Sequence, residues 1–221
     1  MVVLGINDSH NASVALLVDG RIVFALQEER LTRVKNWSGM PQGAIAAALQ
    51  FAGLKPHDVD VVSVAGLSTP FGLSREAMIR EYRTSASLKK TLFKYAKRTA
   101  IKGLYDGMRD RKSRAARVAA LVAAGFRPDQ VRFVEHHAAH AAAAYYGGGR
   151  LDAPVLVLTN DGLGDDLCAT VSVGAGGQLT RLDSIPGTDS VATLYSVVTC
   201  LLGMVPLEHE YKLMGMAPYA S

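Results

Sequence analysis

The sequence predicts an α/β protein of two related lobes, and three observations carry that expectation. Short β-branched apolar runs alternate with helical segments along the chain. One order of elements occurs twice, opening at Val2 and again at Val155: strand, polar turn, strand, glycine-bearing hairpin, strand, helix. Residues 59–65 are apolar nearly throughout, the character of a parallel strand buried on both faces. Such a duplication places two homologous lobes across a cleft, each offering its first polar turn to the same ligand.

Residues 2–6 read as the first strand, and Asn7 to Ser13 as a turn of small polar residues. Residues 14–18 and 21–27 are strands joined by Asp19-Gly20, a tight hairpin signal. A loop with the single tryptophan, Trp37, leads through Pro41 into a helix over 44–51 that closes near Gly53. From Ser74 to about residue 124 the pattern predicts two or more helices, broken near Gly103 and Gly107. Leu88, Leu92, Tyr95 and Thr99 would form one apolar face there. Residues 130–135 are a short strand that hands over to an Ala-rich helix ended by Gly147-Gly148-Gly149, the expected domain boundary. The second round then runs as a strand over 155–159, a polar turn over 160–166 and a strand over 167–173. A hairpin over 174–177, a strand over 179–185 and an apolar helix over 191–202 complete it.

With 221 residues, 49% of them hydrophobic, the chain can bury a substantial core. Its two cysteines, Cys168 and Cys200, lie in apolar runs and read as buried thiols of a reducing compartment. The first residues lack a basic segment ahead of their apolar run, and the longest apolar stretch, over 191–207, is short and interrupted by polar residues. A cytoplasmic protein with no membrane partner is therefore expected. The net charge of +4 conceals an asymmetry: residues 75–117 hold 14 Lys/Arg against 4 Asp/Glu, leaving 10 against 16 elsewhere. Any attraction for a polyanion would reside in that basic segment. Few aromatics interleave its charges, so it lacks a stacking platform for bases and reads as a solvated amphipathic helix pair. Nucleic acid is disfavoured as a partner.

Half of the six histidines fall within five residues, His136-His137-Ala-Ala-His140. On a helix, His136 and His140 share a face one turn apart and can both reach one metal ion, whereas His137 points about 100° away. The plain alternative is an Ala-rich helix with surface histidines. The two polar turns have a chemistry of their own. Their small residues let backbone N–H groups converge on an anion, and Asp8 or Asp161 can hold a divalent cation beside it. Taken singly, each is an ordinary hairpin turn; as a matched pair they favour a site.

Five ordered motifs resemble the NodU/CmcH family of O-carbamoyltransferases: Leu4-Gly-Ile-Asn-Asp-Ser-His-Asn-Ala-Ser13, Gln27-Glu-Glu-Arg-Leu-Thr-Arg33, His136-His-Ala-Ala-His140, Asn160-Asp-Gly162 and Tyr211-Lys-Leu-Met-Gly-Met-Ala-Pro-Tyr219. They span the whole chain except its basic segment. The resemblance implies an actin/sugar-kinase/Hsp70-like fold of two ribonuclease-H-like lobes. The first lobe would be complete over residues 1–150, with a basic helical insertion at about 70–125; the second would begin at 151–221 and remain truncated. It implies carbamoyl transfer from carbamoyl-adenylate to a hydroxyl of a sugar, antibiotic or other natural product. A YrdC-like domain, absent from these residues, would make carbamoyl-adenylate from carbamoyl phosphate and ATP. The family's divalent metal, iron in the characterised case, would be held by His136, His140 and Asp161. A later aspartate of the family has no counterpart here. His10-Asn11 also departs from the usual His-Asp, leaving that acid unmatched.

The residue types suit the implied chemistry. A metal with an open position can polarise a carbonyl. His10 or His137 can take a proton from the acceptor hydroxyl. Asp8, Ser9 and Asn11 on the first turn, Gly162 and Gly164 on the second, and Lys212 are the candidates for binding the nucleotide. Tyr145 and Tyr146 read as core and cleft wall, and Glu28 with Arg30 as a structural ion pair. The expected partners are thus a nucleotide and a small-molecule hydroxyl acceptor, with a homodimer as candidate assembly. Two alternatives stay open: an enzyme similar to the tRNA threonylcarbamoyl transferase, which shares the fold and the histidine pair, and a non-catalytic nucleotide-binding fragment.

Overall fold

The computed structural model describes residues 1–68, 80 and 102–219, which fall into two units: residues 1–68 with 107–139, and residues 80 and 102–106 with 140–219. The predicted helical face of Leu88, Leu92, Tyr95 and Thr99 lies outside the described residues.

In the first unit, Val2–Asn7 (β1), Ser13–Val18 (β2) and Arg21–Gln27 (β3) form the expected antiparallel meander. Asp19 and Gly20 close its second hairpin with φ of 50° and 78°, the pair of positive angles that a type I′ turn requires. A single turn, Glu29–Thr32 (α1), follows, then Gln42–Ala52 (α2). α2 begins earlier than its apolar pattern because Glu28 reaches its first turn. One Glu28 oxygen accepts the Gly43 N–H at 3.0 Å and the other the Ala44 N–H at 2.6 Å. Glu28 is therefore a buried helix cap and not the partner of Arg30, which lies 3.9 Å from Glu29.

Val61–Ala65 (β4) and Val131–Val134 (β5) add to β1 in parallel, giving the order β3-β2-β1-β4-β5. Antiparallel on one side of β1 and parallel on the other, this is the sheet expected of a ribonuclease-H-like lobe. The α/β class read from the sequence is present. The long helix Lys102–Ala123 (α3) corrects one expectation, since it runs without a break through Gly107. An interior glycine costs a helix about 1 kcal/mol relative to alanine and does not by itself end one. Leu4, Ile6, Val14 and Leu16 from the sheet, Ile45 and Leu49 from α2, and Leu121 from α3 share one core. α3 thus belongs to that core through its C-terminal half, and Arg117, counted among the charges of the expected solvated amphipathic helix pair, is instead fully buried.

His136–Gly147 (α4) runs through the division between the units. In the second unit, Val155–Gly164 (β6), Leu167–Ala175 (β7) and Gln178–Pro186 (β8) form an antiparallel sheet in that order. Ala141 and Tyr145 of α4 pack on Val157 of β6. Tyr145 lies so close over Gly174 that a Cβ there would enter its ring, and its hydroxyl accepts the Gly177 N–H at 3.1 Å. Tyr146 donates to the Gly177 carbonyl at 2.8 Å, so the two tyrosines together hold the β7–β8 hairpin. Cys168 and Cys200 are both free and buried.

Beyond β8, Ser190 caps Val191–Leu201 (α5) by accepting the Thr193 N–H at 3.1 Å. Glu210–Met216 (α6) follows, with Glu210 accepting from Ser196 of α5 at 2.9 Å. Val191, Leu194, Leu201, Leu202 and Leu207, in the stretch over 191–207, are exposed. Among the described residues no helix is long and apolar enough to cross a membrane.

Candidate metal centre

The strand-to-helix handover predicted at the histidines is present, and an unpredicted residue sharpens it. Glu135, between β5 and α4, accepts the His137 and Ala138 N–H groups, each at 2.9 Å, one on each carboxylate oxygen. Those are orphan donors of a helix start, so the cap fixes where α4 begins and hence which face His136 and His140 share. The clue was an acid immediately before the histidines.

Asp161 reaches its place through an irregularity in β6. Asn160 pairs with Ala169 and Gly164 with Leu167, so Asp161, Gly162 and Leu163 stand opposite Cys168 alone. A bulge of this kind re-aims side chains out of the ladder. The polar turn expected over 160–166 is accordingly much smaller. The turn proper is Asp165-Asp166, both at positive φ (47° and 67°), and the preceding residues remain in the strand. Asp161 Oδ2 lies 3.5 Å from His140 Nε2, with side-chain exposures of 40% and 55%. His136, His140 and Asp161 each offer one ligand atom within 4.8 Å of the others. Two imidazole nitrogens and a carboxylate oxygen form a donor set that suits iron or zinc. Among the described residues it is the one group of three or more such side chains.

His137 is fully buried, its ring 5.3 Å from that of His136 in an edge-on arrangement. It has the environment of a core side chain and not that of a base open to an acceptor. In the first unit, Asp8 is also buried, at 1% exposure, and both of its oxygens accept from Arg117, at 2.7 Å from Nε and 2.8 Å from Nη2. Its carboxylate holds a guanidinium. Around it Asn7 closes the turn, accepting the Ser9 N–H at 3.1 Å and donating to the His10 and Asn11 carbonyls at 3.2 and 3.3 Å. Asn11 sits at φ 56° with its amide 3.2 Å from His10 Nδ1, and the His10 side chain is exposed. In the second unit the Gly162 N–H is already directed at Asp161 Oδ1, 2.6 Å away. Gly164 pairs with Leu167 in the ladder. Lys212 is exposed on α6, 5.8 Å from the centre of the Tyr211 ring.

Compared with known families, residues 2–221 match the family model described as "Carbamoyltransferase N-terminus". The chain belongs to this carbamoyltransferase family. The NodU/CmcH resemblance drawn from five motifs is thereby borne out. This carbamoyltransferase-family chain is 28% identical over 211 residues to nodulation protein NolNO of Sinorhizobium fredii, covering 95% of the chain and 28% of that relative. It is 32% identical over 220 residues to the uncharacterized protein sll1178 of Synechocystis, covering 95% of the chain and 33% of the relative. The chain thus spans about a third of the length of the curated relatives it matches. Among solved structures, YeaZ from Pseudomonas aeruginosa shares 15% identity at a TM-score of 0.42, covering 84% of this chain and 68% of that one.

Arg117 is the residue that the sequence reading missed, because a count of charges placed it with the solvated arginines. A local signal was available. Arg117 stands alone in the apolar run from Ala115 to Ala124, four residues before the buried Leu121.

Proposed function

We propose that the chain is part of a transferase that moves a carbamoyl group from carbamoyl-adenylate to a hydroxyl of a small-molecule acceptor. The observation that supports this most is the convergence of His136, His140 and Asp161 in a chain of the carbamoyltransferase family. A divalent metal bound there, iron by resemblance, would act as a Lewis acid toward the carbamoyl carbonyl. His136 and His140 would hold it from one helix face and Asp161 from the β6 bulge.

The rest of the step falls to side chains and backbone. The acceptor oxygen bonds to the carbamoyl carbon, the bond from that carbon to the adenylate oxygen breaks, and AMP departs with the electron pair. His10, exposed on the first turn, is the candidate to accept the proton lost by the acceptor hydroxyl. Ser9 and Asn11 orient the nucleotide or acceptor beside it. Gly162, Gly164 and Lys212 remain the candidates for the phosphate. Of these, Lys212 suits the role best, because the Gly162 amide is directed at Asp161 and Gly164 is paired with Leu167 in the sheet. Carbamoyl-adenylate would come from carbamoyl phosphate and ATP through another domain of the whole protein.

The test supplies synthetic carbamoyl-adenylate to the metal-loaded chain and follows AMP release with and without a panel of sugar acceptors. Metal-dependent AMP release that falls in His140→Ala supports the reading. Absence of adenylate binding together with metal-independent release would overturn it.

A further inference from the structure

We infer that Arg117 is a positioning residue. Acting through Asp8, it holds the turn Ser9-His10-Asn11 in the form that meets its ligand. The inference rests on the assignment of that turn to nucleotide and acceptor binding made above.

Arg117 reaches out of α3 to the carboxyl ends of three parallel strands. Nε and Nη2 grip the two oxygens of Asp8, which follows β1 directly. Nη1 donates to the Gly66 carbonyl at 2.6 Å and Nη2 to that of Ala65 at 2.7 Å, at the end of β4. The guanidinium carbon lies 4.8 Å from the centre of the Phe133 ring in β5. The rigid planar fork is matched on both sides, which lysine cannot reproduce.

Stability alone is a weak reason for such an arrangement. A buried ion pair often does no better than apolar side chains of the same volume, because desolvating two charges offsets their attraction. What the pair adds is geometry. Asn7 fixes the backbone from Ser9 to Asn11 within the turn. Asp8, between them, ties that turn through Arg117 to β4 and β5. Without the tie the turn keeps its internal bonds and loses its fixed place on the sheet.

The discriminating variant is the double substitution Asp8→Asn/Arg117→Met, which removes both charges at once and avoids stranding either. Three readouts are taken: amide hydrogen exchange over residues 9–12, AMP affinity by calorimetry, and Zn(II) affinity as a monitor of the His136 centre. The expected result is a melting temperature close to that of the parent. Exchange over 9–12 should quicken and AMP affinity fall, each by about tenfold or more, with Zn(II) affinity unchanged. Arg117→Lys keeps the charge and loses the fork, and should show the same split in smaller measure should the double variant fold poorly. Unchanged exchange over 9–12 would overturn the inference and leave the pair a purely structural one. Faster exchange with AMP affinity intact also overturns it if Ser9→Ala weakens AMP binding. If Ser9→Ala and Asn11→Ala leave AMP affinity intact as well, the binding role of the turn fails, while the tethering by Arg117 stands on the exchange data.

Discussion

The two turns that the sequence presents as equivalents place their acids in opposite environments. Asp8 follows β1 in the first unit and Asp161 lies near the end of β6 in the second, each among small polar residues ahead of an antiparallel partner strand. Asp8 is buried and gripped by an arginine 109 residues away in sequence. Asp161 is swung outward by a bulge, stays 40% exposed and faces a histidine one turn from another. Asp8 has both oxygens committed to a guanidinium and serves as a structural tie, whereas Asp161 turns one oxygen toward His140 and is the proposed ligand. The role of each acid is set by the element that arrives beside it, which local sequence does not encode.

The largest effect that would sharpen this contrast is expected at Arg117. Arg117→Met strands the Asp8 carboxylate in the core and should cost about 3–5 kcal/mol of unfolding free energy, measured by urea denaturation. A loss below about 1 kcal/mol, the range of exposed pairs, would mean that Asp8 escapes to water and is no more committed than Asp161.

Next come the two caps, one for each histidine-free or histidine-bearing helix. Glu28 holds the start of α2 and Glu135 that of α4, each with both carboxylate oxygens. Glu28→Ala and Glu135→Ala should each lower stability by about 1–2 kcal/mol, near the upper range for helix caps. Only Glu135→Ala should also weaken Zn(II) binding, because it alone sets the helix that carries the metal face. Equal effects on Zn(II) from both variants would detach the cap from the site.

The smallest effect on stability is expected at Asp161. It is exposed and its histidine neighbour is too, so Asp161→Asn should change unfolding free energy by less than about 0.5 kcal/mol. A loss comparable to that of Arg117→Met would make Asp161 a structural acid like Asp8 and erase the contrast.

Most of the architecture was legible because it depends on local pattern. Short apolar runs place β1 to β5, and the i, i+4 spacing of His136 and His140 shows their common face without any coordinates. What escaped depends on encounters between distant residues or on backbone angles that composition does not reveal. Asp-Gly at 161–162 looks like the turn, yet the chain reverses at Asp165-Asp166, where two successive residues take positive φ. Arg117 looks like one more charge of a basic segment, yet it is the hub of three strand ends. The burial of His137 follows from the same helical offset that sets it apart from the metal face.

The most direct test of the account is Zn(II) titration calorimetry on the chain and its variants, with zinc as a redox-inert probe of the centre. One equivalent should bind the parent. Affinity should fall by more than about tenfold in each of His136→Ala, His140→Ala and Asp161→Asn, since loss of a ligand exceeds the loss of an outer-shell partner. Asp8→Asn/Arg117→Met should bind as the parent does. Retention of binding in the three ligand variants, or an equal loss in the double variant, would contradict the assignment of Asp161 as the ligand and Asp8 as the tie.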